Sequence, residues 1–284
     1  MNVKNKILGA GLLLAMSSPA ALADEFYIDV GADFGDNGFA QAAGNTTTGW
    51  LQELLYEYSS NTVVTDTDLN GIDAGDTIVT TGGFIDGDVT SLSTNKVTGF
   101  SPQQNVLDPL SPSENGYGAW GLTFQFELFG AMLGGLGDGL PVSFNSGSVT
   151  FYYFDATTPT TAQFIELFTI NVISTLNSFG GPSITGEIAS YGGGSVNGVN
   201  AGDVFNFADG SFADYVDMMV QIVADIDFNT DPNDVTITDN MDGTFTLTGE
   251  HDGSISFAVP EPSSLAIIGL GLLGLAGAAR RRKA

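Results

Sequence analysis

Cysteine is absent from this chain, and histidine occurs once, at His251. The first absence excludes disulfides, thiol catalysis, Cys-ligated zinc and iron–sulfur chemistry. The second excludes any metal site built on two histidines of one chain. Positive charge is nearly as scarce: seven Lys and Arg stand against 33 Asp and Glu. Lys4 and Lys6 lie near the N-terminus, and Arg280, Arg281, Arg282 and Lys283 close the C-terminus, which leaves Lys96 as the one base from residue 24 to residue 259. Every acid except Glu261 falls within that stretch. Such a body repels nucleic acid and anionic lipid headgroups, so nucleic acid is excluded as a partner. It suits cations, or neutral polymers bound without charge. It is also long enough to bury a core without disulfides.

Long apolar runs are missing except at the two ends. Near the N-terminus, Lys4 and Lys6 precede an apolar stretch, Ile7 to Met16, that is too short to cross a bilayer. Ser17, Ser18 and Pro19 break it, and Ala21-x-Ala23 supplies the small residues that signal peptidase requires. Residues 1–23 therefore read as a secretory signal, with Asp24 as the first mature residue. At the other end, Ser263 to Ala279 carries no charge. As a helix it would run ~26 Å, at the lower limit for a membrane span. The basic residues 280–283 would hold its far end on the cytoplasmic side.

Just before this run stands Pro260-Glu261-Pro262. Two prolines keep a segment extended and out of a sheet, as a processing site requires. The order Pro-Glu-Pro, apolar helix, then Arg280, Arg281 and Arg282 resembles the PEP-CTERM sorting signal of Gram-negative bacteria. The resemblance implies a partner, exosortase, that cuts near the motif and releases or transfers the body. It further implies a membrane-tethered precursor, then a surface or matrix location in an exopolysaccharide-making host. An ordinary single-pass anchor is the alternative reading. The expected organisation is thus 1–23 signal, 24–259 body, and 260–284 sorting segment with its span at 263–279.

Within the body, period-two alternation dominates. Leu122, Phe124, Phe126 and Leu128 fall on one face of a strand. Val149 to Phe154, Phe164 to Val172 and Val220 to Phe228 read as further strands. Trp50 to Tyr58 fits a helical stripe or a strand, and its continuation into Thr62-Val-Val-Thr65 favours strand. A meander is legible from Val235 to Val259, with turns at Asp239–Gly243 and Glu250–Gly253. Asn95 to Tyr117 reads as a long loop, and a short helix is expected within Phe212 to Met219. With 38 glycines for turns, these features predict an all-β, antiparallel sandwich or jelly-roll-like body.

Asp66-x-Asp68-x-Asn70-Gly71 has the spacing of a calcium loop, in which alternate oxygens turn inward. An EF-hand would carry Glu where this chain has Thr77, so Asp73 or Asp76 would have to complete the shell. Solvated turn acids are the competing reading. Asp225-x-Asp227-x-Asn229-x-Asp231, near Asp234, is a second candidate without the glycine. The motif Asn70-Gly-Ile-Asp-Ala-Gly-Asp76 recurs as Asn197-Gly-Val-Asn-Ala-Gly-Asp203. That echo marks either a duplicated unit or one turn chemistry used twice. The Asp-rich Asn-Gly stretch is also similar to members of the same sorted family that are linked to flocculation.

No pair of carboxylates is singled out for catalysis. Glu127 and Glu166 lie within apolar strands, but alternation puts Glu127 on the polar side. His251 reads as an exposed turn residue. Trp50, Trp120, Tyr152 and Tyr153 are the candidates for stacking on sugar rings, with core packing as the competing role. The function expected is therefore that of a non-catalytic envelope or matrix protein, bound to exopolysaccharide or flocs. It needs no cofactor, with calcium as the one candidate ion. The alternative is a secreted carbohydrate-active enzyme with a glycosidase-type carboxylate pair.

Overall fold

The structure is a computed structural model that describes residues 24–34, 44–85, 88–101, 116–135, 141–157, 164–178, 181–218, 222–229 and 235–259. The expected signal, with Ala21 and Ala23, lies outside these residues. So does the sorting segment 260–284, with Pro260, Glu261, Pro262, the span 263–279 and Arg280 to Arg282. Among the described residues, no helix is long and apolar enough to cross a membrane.

In chain order the strands begin with β1 Tyr27–Ile28, β2 Glu53–Thr65, β3 Thr77–Gly83, β4 Lys96–Ser101, β5 Trp120–Met132, β6 Val142–Asp155, β7 Ile165–Ser178 and β8 Gly181–Tyr191. There follow β9 Ser195–Val196, β10 Val199–Asn200, β11 Phe205–Phe207, β12 Gly210–Ser211, helix α1 Phe212–Asp217, β13 Val223–Asn229, β14 Thr236–Asp239 and β15 Thr244–Ala258. The antiparallel all-β body expected from the sequence is what the structure shows, and its connectivity is a meander. Pairing runs β2–β3–β5–β6–β7–β8–β13–β15. β15 then returns to β2, from Thr244 opposite Thr65 to Ser256 opposite Glu53. The sheet closes into a barrel, which removes most of the edges that an open sheet would expose.

A ring of about eight strands leaves an interior that side chains just fill. Here aromatic rings fill much of it. In β5, Leu122, Phe124, Phe126 and Leu128 point inward and are buried, while Gln125 and Glu127 are exposed outside. Phe124 packs on Tyr56, Tyr58 and Phe151, and Phe151 stacks on Phe168 at 5.1 Å. One pole is stoppered by a small sheet, β1–β11–β12, followed by α1. Ser211 starts that helix with a capping box: its hydroxyl accepts from Asp214 N, and the Asp214 carboxylate accepts from Ser211 N. Phe26, Phe205 and Phe212 of this plug pack on Phe257 and Phe168 of the wall.

Both ends of the described body meet at the plugged pole. Asp24 N donates to Phe257 O at 2.9 Å, and the Asp24 carboxylate accepts from Val259 N at 2.9 Å. The opposite pole carries the β2–β3 connection, residues 66–76.

Several elements differ from expectation. The segment Glu250–Gly253 is not a turn, because β15 runs unbroken through it, paired with β2 throughout the segment and, from Asp252 onward, with β13 on the other edge. His251 is therefore a half-buried wall residue, in ring contact with Tyr58 and 2.8 Å from Ser60 Oγ through Nε2. Within the expected loop 95–117 the chain forms β4, which pairs with the first half of β2. The strand reading of residues 50–65, the turn at 239–243 and the short helix are as expected.

Candidate functional site

The connection between β2 and β3 gathers the predicted acids. Oxygens of Asp66, Asp68 and Asp76 lie within 4.8 Å of one another. Asp66 and Asp76 are buried, and Asp68 is exposed. The backbone has wrapped itself around Asp66: Oδ1 accepts from Leu69 N at 2.6 Å and Oδ2 from Gly71 N at 2.8 Å, with longer bonds from Asp68 N and Asn70 N. Gly71 has φ of 105°, a conformation that favours glycine and lets this turn close. Asp76 accepts from Thr67 N at 2.9 Å and from Asp73 N at 3.0 Å. The loop is tied to its neighbours by Asp66 N to Gly243 O, Gly75 N to Met132 O, and Met132 N to Asp76 O.

The electrostatics differ within the cluster. Burial pushes the Asp66 carboxyl up, but four backbone N–H bonds outweigh it and hold the group below the usual aspartate range. Partial desolvation by the surrounding loop pushes the exposed Asp68 carboxyl up, and the charges of Asp73 and Asp66 push the same way. Asn70 turns its amide Nδ2 toward Asp68 Oδ2 at 2.8 Å, and Asp73 meets Asp76 through its backbone N–H. The predicted set is thus brought together in part. Asp66, Asp68 and Asp76 form the cluster, while Asn70 and Asp73 act as donors within it. Oxygens within 4.8 Å of one another lie inside the span that one ion bound at the calcium–oxygen distance of roughly 2.3–2.6 Å would bridge, and amide N–H groups already occupy the Asp66 and Asp76 carboxylates.

The other candidates separate. Asp225 and Asp227 lie on β13 with Asn229, and an extended strand does not wrap an ion; Asp231 and Asp234 lie outside the described residues. Trp120 and Tyr153 are core, stacked on each other at 6.0 Å. Trp50 is half-buried against Tyr27, and Tyr152 is half-buried against Phe84. Glu127 and Glu166 are both exposed on separate strands. The echo residues 197–203 form the β9–β10 turn and a 3-10 segment, with Asp203 accepting from Ser211 Oγ at 3.0 Å.

Sequence reading missed one exposed aromatic, Phe129, 39% exposed on the outer wall. Carrying the alternation of β5 one residue past Leu128 would have found it.

Fold and loop together define a closed, acidic, all-β barrel in which Asp24 and Val259, the ends of the described body, share one pole. Residues 258–283 match the family model of the PEP-CTERM protein-sorting motif. That segment marks an exported protein that exosortase sorts and processes. The match starts at Ala258, the last residue of β15, so the sorting segment follows directly from the barrel wall. No curated protein and no solved structure matches the chain.

Proposed function

We propose that the protein is a non-catalytic component of the cell envelope or extracellular matrix in a Gram-negative bacterium, associated with exopolysaccharide and of the flocculation-linked kind. The single observation that carries this reading is the sorting motif at residues 258–283. Signal peptidase cuts after Ala23. Residues 263–279 hold the precursor in the inner membrane with Arg280, Arg281 and Arg282 inside, until exosortase acts at Pro260-Glu261-Pro262. The pairing of Asp24 with Val259 supports this order of parts, because both processing points then adjoin one pole of the barrel. The opposite pole, with its acidic loop, is directed away from the membrane.

Fractionation of a matrix-forming culture tests the reading. The wild-type protein is expected in the polysaccharide fraction, and a variant with Pro260, Glu261 and Pro262 replaced by alanine to stay with the inner membrane. A wild-type protein found only in the medium would overturn the matrix assignment.

Calcium is the cation proposed for Asp66, Asp68 and Asp76, where it would neutralise the repulsion between Asp68 and its neighbours. Millimolar calcium is expected to raise the melting temperature, and Asp66→Ala with Asp68→Ala to abolish the increase. A parent protein that melts alike with and without calcium has no such site.

A further inference from the structure

Charge on the outer wall is segregated along the strands. Toward the plugged pole, β15 and β2 expose Asp252 opposite Glu57. Lys96 of β4 stands across Glu57 on its other side. Toward the other pole the outward residues change character. One row runs Thr246–Val63–Val79–Phe129 across β15, β2, β3 and β5, each directly opposite the next. Val63, Val79 and Phe129 are 37%, 37% and 39% exposed, so this apolar line faces solvent. The row on one side is Thr248–Asn61–Thr81, and the row on the other is Thr244–Thr65–Thr77. β14 extends the surface with Thr236 opposite Thr248 and Thr238 opposite Thr246. Asn240 Nδ2 donates to Thr244 Oγ1 and Thr246 Oγ1, both at 2.9 Å, and fixes those hydroxyls. Across β15, β2 and β3 these three rows carry no charged residue, on a chain of formal net charge −26; on β5 the Thr248–Asn61–Thr81 row ends in the exposed Glu127, the acid at that edge of the face.

We infer that this face binds a linear, uncharged, polyhydroxyl polymer, a neutral glycan chain. The inference rests on the exopolysaccharide reading and assigns it a surface and a ligand class. Sugar rings present apolar C–H faces and hydroxyl edges. The Val63–Val79–Phe129 line meets the former, and the threonine rows on either side meet the latter. An anionic polymer would be repelled by the surrounding acids, whereas a neutral one pays no such cost. Strand spacing and rise make the face ~13 Å by ~19 Å, roughly 250 Å². A stable protein partner needs about 800 Å² a side, so the face is too small for a second copy. A repeating polymer compensates for a small footprint by engaging many molecules at once.

Affinity electrophoresis of the secreted mature protein tests this, with hydroxyethyl cellulose as the neutral probe and alginate as the anionic one. The neutral probe is expected to retard the wild type, and alginate not to. Val79→Asp, which plants a charge in the middle row, should weaken retardation at least tenfold. Phe129→Ala, an exposed truncation that spares the fold, should weaken it several-fold, with an unchanged melting temperature for each variant scored. Retardation by alginate alone, or wild-type retardation of folded Val79→Asp, would overturn the inference. So would a dimer in light scattering that Val79→Asp dissolves. A wild type that partitions into the matrix fraction yet ignores the neutral probe defeats this inference and leaves the matrix reading standing. A wild type absent from the matrix fraction defeats the matrix reading itself.

Discussion

Phe168→Ala is expected to cost about 3–5 kcal/mol, the range for deleting a large buried ring. For a domain of this size that corresponds to a melting temperature lower by roughly 10 °C. Phe168 is 1% exposed and is the point at which wall and plug meet. Its ring stacks on Phe151 and stands edge-on to Phe205 at 5.1 Å, with Phe212 and Phe257 at 6.2 and 5.8 Å. Truncation would leave a cavity bounded by wall on one side and plug on the other, which neither can fill without moving the other. Thermal denaturation followed by circular dichroism measures the loss. Phe129→Ala on the outer wall is the reference, with a change below about 1 kcal/mol. A Phe168→Ala protein that melts with the wild type would mean that plug and wall are not packed together.

Gly147→Ala should rank beside it, for a backbone reason. Gly147 lies inside β6 with φ of 134°, where an L side chain is strained. A Cβ there would overlap the Glu127 carbonyl oxygen and come within 2.8 Å of Leu128 Cα, both on the paired strand β5. Backbone cannot step aside as a flexible side chain can, so the β5–β6 ladder must open. The expected cost is about 3 kcal/mol, from left-handed strain and overpacking together. Gly99→Ala is the matched control. Gly99 is also in a strand, β4, but nothing lies within 4 Å of an added Cβ and its φ is ordinary. Its effect should be near zero or slightly stabilising. Equal effects at the two positions would contradict the close approach of β5 and β6 at Gly147.

The wall was legible in the sequence wherever one face meets the core and the other meets water. Leu122 to Leu128 alternates for that reason alone, and the strand reading of Trp50 to Tyr58 follows from the tyrosines that turn inward. Local signals failed where long-range pairing overrode them. Asp252-Gly253 has the chemistry of a turn, yet Gly253 sits opposite both Tyr56 and Phe228. A segment with a partner on each edge stays extended whatever its turn propensity. β4 was hidden because it is short, contains Gly99 and pairs along one edge for only part of β2. The plug was hidden because Phe26, Phe205 and Phe212 are far apart in the chain and meet only in the folded core. Within the candidate site, spacing identified Asp66, Asp68 and Asn70 and left Asp73 or Asp76 to complete the set; the fold brings in the carboxylate of Asp76. Spacing alone does not show that amide N–H groups already clasp two of these carboxylates. The outer face went unread because its pattern is a register across separate strands, invisible along any one of them.

The central claim is that the positively charged extremities are shed and a polyanionic barrel remains outside the cell. Intact-mass measurement of the protein recovered from the extracellular fraction addresses it most directly. The account predicts a chain that begins at Asp24 and ends at or near Pro260. A recovered chain that still runs from Met1 to Ala284 would contradict it.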